Sequence, residues 1–256
     1  MEGAKGLPDR LSQFDKALFG LRSLVLGGAF LGDKRLSEVA VAKQLGVSRT
    51  PLRQAMDRLV SEGLLERIET GGCRVAIFTK QDITDAIEIR GVMEGTAAKM
   101  AAERGADPLL TAQANDALDR IDIALAPRGR IDFDLYVRQN ARFHNLLGRL
   151  AGSGLIEREL ERMNRLPLAS PSAFLIEQAG IPDFQESLRY AQRQHRAILE
   201  AITNREGSRA EALTREHARL ALTNFDYLTK HRPEATKGVP GLALVTSRQG
   251  STTDSA

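Results

Sequence analysis

The chain has 256 residues, 42% of them hydrophobic and 27% charged, with a net charge of +3. That length and apolar fraction suit two ordinary domains with sizeable cores. Only 5% of the residues are aromatic and none is Trp, which argues against a base-stacking platform for single-stranded nucleic acid, and the single cysteine, Cys73, excludes an internal disulfide and a cysteine metal cluster.

The charge is unevenly placed. Residues 1–80 hold 13 Lys+Arg against 9 Asp+Glu, whereas residues 81–256 hold 23 against 24. The positive surplus therefore lies in the N-terminal third, as a phosphate-bearing partner would require. No apolar run approaches membrane-spanning length, and the N-terminus lacks a charged-then-apolar leader, so a cytoplasmic protein with no membrane partner is expected. The pattern divides the chain into a flexible N-terminus over 1–13, a first domain over 14–79, a helical domain over 80–231 and a disordered tail over 232–256, which is rich in Gly, Ser, Thr and Pro.

In the first domain, Val41, Ala42 and Leu45 form the apolar stripe of one helix. Gly46 allows a tight turn, and Val47 plugs the corner. Ser48 is placed to cap a second helix with Pro51 in its first turn, and Leu52, Ala55, Met56 and Leu59 continue the stripe. Away from the stripe, Arg49 and Arg53 are four apart and share a face, with Ser48 and Thr50 beside them at the helix N-terminus. Free N–H groups and hydroxyls there suit phosphate oxygens, and a guanidinium fork suits guanine O6 and N7 in the major groove. The strand-like runs 63–68 and 73–77 flank Gly71 and Gly72, which makes a hairpin. A helix-turn-helix followed by such a ribbon is a winged helix. Its tip and Arg74 are placed to meet a neighbouring groove or phosphate.

The runs Leu36-Ser37-Glu38, Leu45 to Arg53 and Glu62-Gly63-Leu64-Leu65 resemble the DNA-binding domain of GntR-type bacterial transcription regulators. The resemblance implies DNA contacts from Arg49, Thr50 and Arg53, supported by Ser48 and Gly72. Val39 stands where some members carry an arginine, which removes one expected contact.

Thr79 to Asp82 looks like a linker, after which strand signals largely stop. Helical periodicity runs from Ile83 to Gly105, from a cap at Asp107 with Pro108 behind it to Leu125, from Asp132 to Leu150, from Ser153 to Leu166, from Phe184 to Arg205 and from Ser208 to His231. Residues 127–130 and 167–182 are irregular. Six helices with short connections predict an all-α bundle, so the fold class is mainly α.

Three of the four histidines, His144, His195 and His217, lie on inward stripes of three different helices, and Asn140 is one turn before His144. Such a trio can converge on a divalent ion such as zinc or nickel, with an amide oxygen added from Asn140. A core role for each histidine is the plainer alternative. Arg90 and Glu94, four apart, form either a surface pair or a buried one that needs further partners.

The pattern of Arg90, Glu94 and Ala97-Ala98, then Asn140, Phe143 and His144, then His195, Ile198 and Leu199, then Glu216-His217 is similar to the FCD-type effector domain of the FadR-like subfamily. The resemblance implies that Asn140, His144, His195 and His217 surround a divalent metal, with Arg90 nearby and a small carboxylate effector completing the site. Asparagine in place of aspartate at 140 weakens attraction for a cation and leaves the site more positive, which favours an anionic effector.

The expected function is a ligand-responsive repressor that binds an inverted-repeat operator in double-stranded DNA as a homodimer. Two other readings are a metal-dependent hydrolase-like enzyme using the histidine trio, and a constitutive architectural DNA-binding dimer.

Overall fold

Ser12 opens the first helix, accepting from the N–H of Asp15, and α1 (Gln13–Leu26) buries Ala17, Leu18, Leu21 and Val25 at helical spacing. The computed structural model describes residues 12–32, 35–126, 131–165, 170–171, 182–231 and 241–246. Gln13, placed in the flexible N-terminus by the sequence pattern, instead begins α1; the residues before 12 lie outside those described.

Helix α2 (Glu38–Leu45) is capped by Ser37 and closed by Gly46 at φ 62°. This left-handed closure costs glycine little and any other residue more. Helix α3 (Arg49–Ser61) buries Leu52, Ala55, Met56 and Leu59. Ser48 occupies the N-cap position, but its side chain makes no capping bond, contrary to the expectation. The cause is Pro51: at the third helical position it has no N–H, so one of the two donors a cap uses is missing. Strands β1 (Leu65–Arg67) and β2 (Cys73–Val75) pair antiparallel, with Leu65 opposite Val75 and Arg67 opposite Cys73. Gly71 and Gly72 make the turn at φ 85° and 91°. Cys73 packs as a small buried residue.

The chain divides into two compact units between Ile77 and Phe78. Residues 79–82 are not a linker. Thr79 Oγ1 accepts from the Asp82 N–H, and the Asp82 carboxylate accepts from the Thr79 N–H at 2.7 Å. This reciprocal capping box starts α4 (Lys80–Arg104) at once. Then come α5 (Pro108–Leu125), capped by Asp107, α6 (Phe133–Leu150), α7 (Gly154–Asn164), α8 (Pro182–Thr203) and α9 (Gly207–His231). Pro182 thus begins a helix. Apart from 170–171, the rest of the expected irregular stretch, like 127–130, lies outside the described residues.

Helices α4 and α9 meet almost backbone to backbone. A Cβ at Gly91 would lie 2.9 Å from that of Ala218, and one at Gly95 would lie 2.8 Å from Arg215 Cγ and 3.1 Å from the Glu211 carbonyl. Alanines 98, 101 and 102 of α4 continue into a core with Leu118, Phe143 and Ile198. The close approach carries Arg90 and Glu94 on α4 up to His217 on α9.

The tail is corrected at residues 241–246. A 3-10 turn over Leu242–Leu244 leads into β4 (Val245–Thr246), which pairs in parallel with β3 (Phe78–Thr79), so this unit is not purely helical. The composition of 232–256 hid a short apolar run. Leu242 packs on Ile83, Ile87 and Phe225, and Leu244 is fully buried. The other tail residues lie outside those described. Leu244→Ala is expected to cost about 2–5 kcal/mol of unfolding free energy, the usual range for a buried leucine. Denaturant titration checks this, and an unchanged midpoint would mean that the segment does not pack.

Candidate functional site

The first unit gathers charge where α2 and α3 begin. Arg49 and Arg53 are exposed at 58% and 59%, and both reach the carboxylate of Glu38, the first residue of α2. Glu38 Oε2 accepts from Arg53 Nε at 2.8 Å and from Arg49 Nη2 at 3.3 Å. The hydrogen bond from Arg53, helped by that from Arg49, holds the Glu38 carboxyl below the usual carboxylate range against the opposing effect of burial. Ser48 and Thr50 are exposed beside them. A groove here is lined by Arg35, Ser37, Glu38, Val39, Arg49 and Arg53. Arg35 lies against the wing turn, where a Cβ on Gly72 would come within 2.8 Å of its Nε. Arg74 is already paired: Glu66, directly opposite in the hairpin, accepts from its Nη2 at 2.8 Å. Sequence reasoning found the arginines of α3 but missed Arg35, Glu38 and Glu66. Glu38 lies eleven and fifteen residues from its partners, a spacing that means nothing until the glycine turn sets the helix angle.

In the second unit three imidazoles from α6, α8 and α9 converge. His195 Nε2 and His217 Nε2 are 2.9 Å apart, and His217 Nε2 is 3.3 Å from His144 Nε2. All three rings are buried. Each Nδ1 meets an oxygen: Glu94 Oε1 at 3.0 Å for His144, Gln192 Oε1 at 3.2 Å for His195 and Gln194 Oε1 at 3.0 Å for His217. The chemistry of two of these partners sets the tautomers. A carboxylate facing His144 Nδ1 can only accept. Gln192 spends its Nε2 on the Leu118 carbonyl at 2.9 Å and the Asp122 carboxylate at 2.8 Å, so its oxygen faces His195. With Nδ1 donating, a neutral ring turns its Nε2 lone pair toward the other two. That crowding is repulsive unless a proton or a cation lies among them.

Burial, reinforced by the neighbouring rings, drives His195 and His217 well below the ordinary histidine range, so both keep that lone pair. Burial alone would raise the Glu94 carboxyl, but His144 and Arg90 outweigh it and hold it at about 2. The donor set fits a divalent ion. It offers three imidazole nitrogens within 4.8 Å of one another, each anchored through its other ring nitrogen as ligating histidines are.

The cavity beside the trio is lined by Arg90, Tyr136, Asn140, His144, Ser187, His217 and Asn224, among others. His195 is not on its wall, which corrects the expectation that it faces an effector. It is fully buried against Phe143, ring centroids 4.8 Å apart. Asn140 is buried with its Nδ2 donating to the Pro171 carbonyl at 3.4 Å. Arg90 is 2% exposed and sits 3.8 Å from Glu94 Oε2, too far for a hydrogen bond. Among the described residues, Arg90 Nε and Glu94 Oε2 have no hydrogen-bond partner, so a buried guanidinium retains an unused donor.

Residues 19–75 match the family described as bacterial regulatory proteins, gntR family, and residues 85–220 match the FCD domain. The two stretches contain the arginine face and the imidazole cluster respectively. This chain belongs to the GntR family, in its FCD-containing branch. GntR/FCD proteins are DNA-binding transcription regulators, usually repressors, rather than enzymes, so the hydrolase reading falls. The GntR/FCD chain is 29% identical over 227 residues to an HTH-type transcriptional regulator from an unstable DNA locus of Streptomyces ambofaciens, covering 84% of this chain and 85% of that one. It is 26% identical over 201 residues to the HTH-type transcriptional repressor GlaR of Escherichia coli, with coverage of 77% and 88%. The fold is similar to that of McbR/YncC of E. coli, with a TM-score of 0.58 at 20% identity over 86% of this chain and 99% of that one. Among the described residues, no helix is long and apolar enough to cross a membrane.

Glu94→Ala removes the only ion-pair partner found for Arg90 among the described residues and the acceptor for His144. It is expected to cost about 3–5 kcal/mol, as uncompensated buried charge does. Equilibrium unfolding of the variant measures this, and a loss below 1 kcal/mol (~) would contradict the buried network.

Proposed function

We propose that this GntR/FCD regulator is a cytoplasmic, effector-released repressor that binds an inverted-repeat operator as a homodimer. Its helical domain would respond to a small carboxylate held beside a divalent metal. The observation that carries this reading is a buried, partly unused Arg90 lining the same cavity as His144 and His217, two of the three anchored imidazoles. His144, His195 and His217 would hold the ion, and Asn140 would add a neutral amide oxygen. The ion supplies positive charge at which an anionic effector can bind. Arg90 would supply a second cationic contact, and its unused Nε gains a partner only when an acceptor arrives. No carboxylate stands at position 140, so the site has fewer negative charges to turn away an anion.

On the DNA side, Arg49 and Arg53 would contact base edges in the major groove. Ser48 and Thr50 would take phosphate oxygens at the α3 N-terminus, and the turn at Gly72 with Arg74 would follow the neighbouring backbone. The effector shifts DNA affinity only if it binds the DNA-competent and incompetent states unequally.

Four measurements test this. Elemental analysis is expected to find about one divalent ion per chain, lost when His144, His195 and His217 are all replaced by alanine; equal metal content in wild type and variant refutes the ligand set. Gln192→Leu, which removes the acceptor behind His195 together with the amide's bonds to Leu118 and Asp122, should weaken metal binding by about 10–100-fold. A thermal-shift screen of small mono- and dicarboxylates should give a stabilising hit that disappears with chelator and in Arg90→Gln. DNA binding that no such acid alters would favour the architectural reading. Arg49→Ala or Arg53→Ala should each weaken binding to the preferred duplex by about 1–3 kcal/mol, as loss of a bidentate base contact does.

A further inference from the structure

The arginine face contains a carboxylate that DNA, a polyanion, should disfavour. Glu38 lies between Arg49 and Arg53, and one of its oxygens accepts from both. Its side chain is 22% exposed, less than half the exposure of either arginine. It occupies the first turn of α2, directly after the Ser37 cap, where the helix dipole favours a negative charge. The carboxylate is therefore stably ionised, and it is fixed by backbone rather than carried on a mobile loop.

The geometry points to Glu38 as the residue that sets sequence specificity on this face, an inference that rests on the proposed reading of Arg49 and Arg53 as DNA contacts. Arg53 gives its Nε to Glu38, which leaves its two terminal nitrogens as a fork with no partner among the described residues. A fork held from behind in one orientation is what guanine O6 and N7 require. Arg49 engages through Nη2 and is held on the same point. A phosphate oxygen approaching either guanidinium meets a site whose charge is already half neutralised, and it must compete with a charge-assisted bond. Base edges carry no net charge and escape most of that repulsion. Glu38 thus weakens phosphate binding, which carries no sequence information, while holding the forks for base reading.

The test uses the full-length protein and two probes of equal length: the tightest duplex selected by the wild type from a randomised pool, and a random-sequence duplex. Glu38→Gln keeps the shape and removes the charge. It is expected to raise affinity for the random duplex by about 3–10-fold and steepen its log–log salt dependence by roughly 0.9, the slope of one added phosphate contact. Affinity for the selected duplex should fall or stay level, so the ratio of the two drops by about tenfold. An unchanged ratio overturns the inference. Equal loss on both probes with a lowered melting temperature also overturns it, since that marks a purely structural role. Arg53→Ala is measured alongside. If it weakens the selected duplex while Glu38→Gln leaves the ratio alone, only the role of Glu38 fails. Should Arg53→Ala change neither probe, the DNA-face reading fails and takes this inference with it.

Discussion

Three buried imidazoles whose ring nitrogens are brought together are the constraint on which the helical unit depends. Their Nε2 atoms are 2.9 and 3.3 Å apart along the chain His195, His217, His144, and every Nδ1 is tied to an oxygen. Much nearby packing serves to hold that arrangement. Gly91 and Gly95 let α4 and α9 approach closely enough for Glu94 to reach His144 and for Arg90 to line the same cavity as His217. Gln192 spans from α8 to the Leu118 carbonyl and Asp122 on α5, which fixes the amide that orients His195. Rings anchored this way retain little rotational freedom, so a ligand arriving at Nε2 meets a site already organised.

The same site leaves polar groups incompletely used. Among the described residues, Arg90 Nε and Glu94 Oε2 lack hydrogen-bond partners although both side chains are almost fully buried. A fully satisfied core would not be arranged so, because each unused buried polar group costs about 1–3 kcal/mol. Unspent donors beside clustered lone pairs suit a cavity that gains stability when a ligand enters. Binding then adds to folding stability by mass action, which makes thermal shift a direct readout for this domain.

The arginine face of the N-terminal unit is organised by different means. There the groups are exposed, water screens them, and single ion pairs contribute little to stability. What the Glu38 contact supplies is orientation rather than free energy of folding. Arg74 and Glu66 show the same economy on the hairpin, where cross-strand register sets a cation and an anion opposite one another. A charged surface built from such pairs presents directed donors in place of a diffuse positive field.

Local chemistry made much of this legible in the sequence. Gly46 with Pro51, and the spacing of Leu52, Ala55, Met56 and Leu59, specify the two helices and their turn because each is a short-range steric or packing demand. Histidines on inward stripes pointed to the trio for the same reason, since helical period alone decides which side chains face the core. Contacts between distant segments were out of reach. Neither Glu38 meeting Arg49 and Arg53 nor Gln192 fixing His195 through α5 leaves a periodic trace. The capping box at Thr79 and Asp82 was visible as residues yet taken for a linker, and the Leu242–Val245 run was hidden by the polar composition around it. Sequence by itself determined the elements and the residue types that each face offers. Tertiary structure alone decided which faces meet, because helix crossing and close approach depend on packing summed over many residues, and that sum fixed the tautomers, the unused donors and the shared carboxylate.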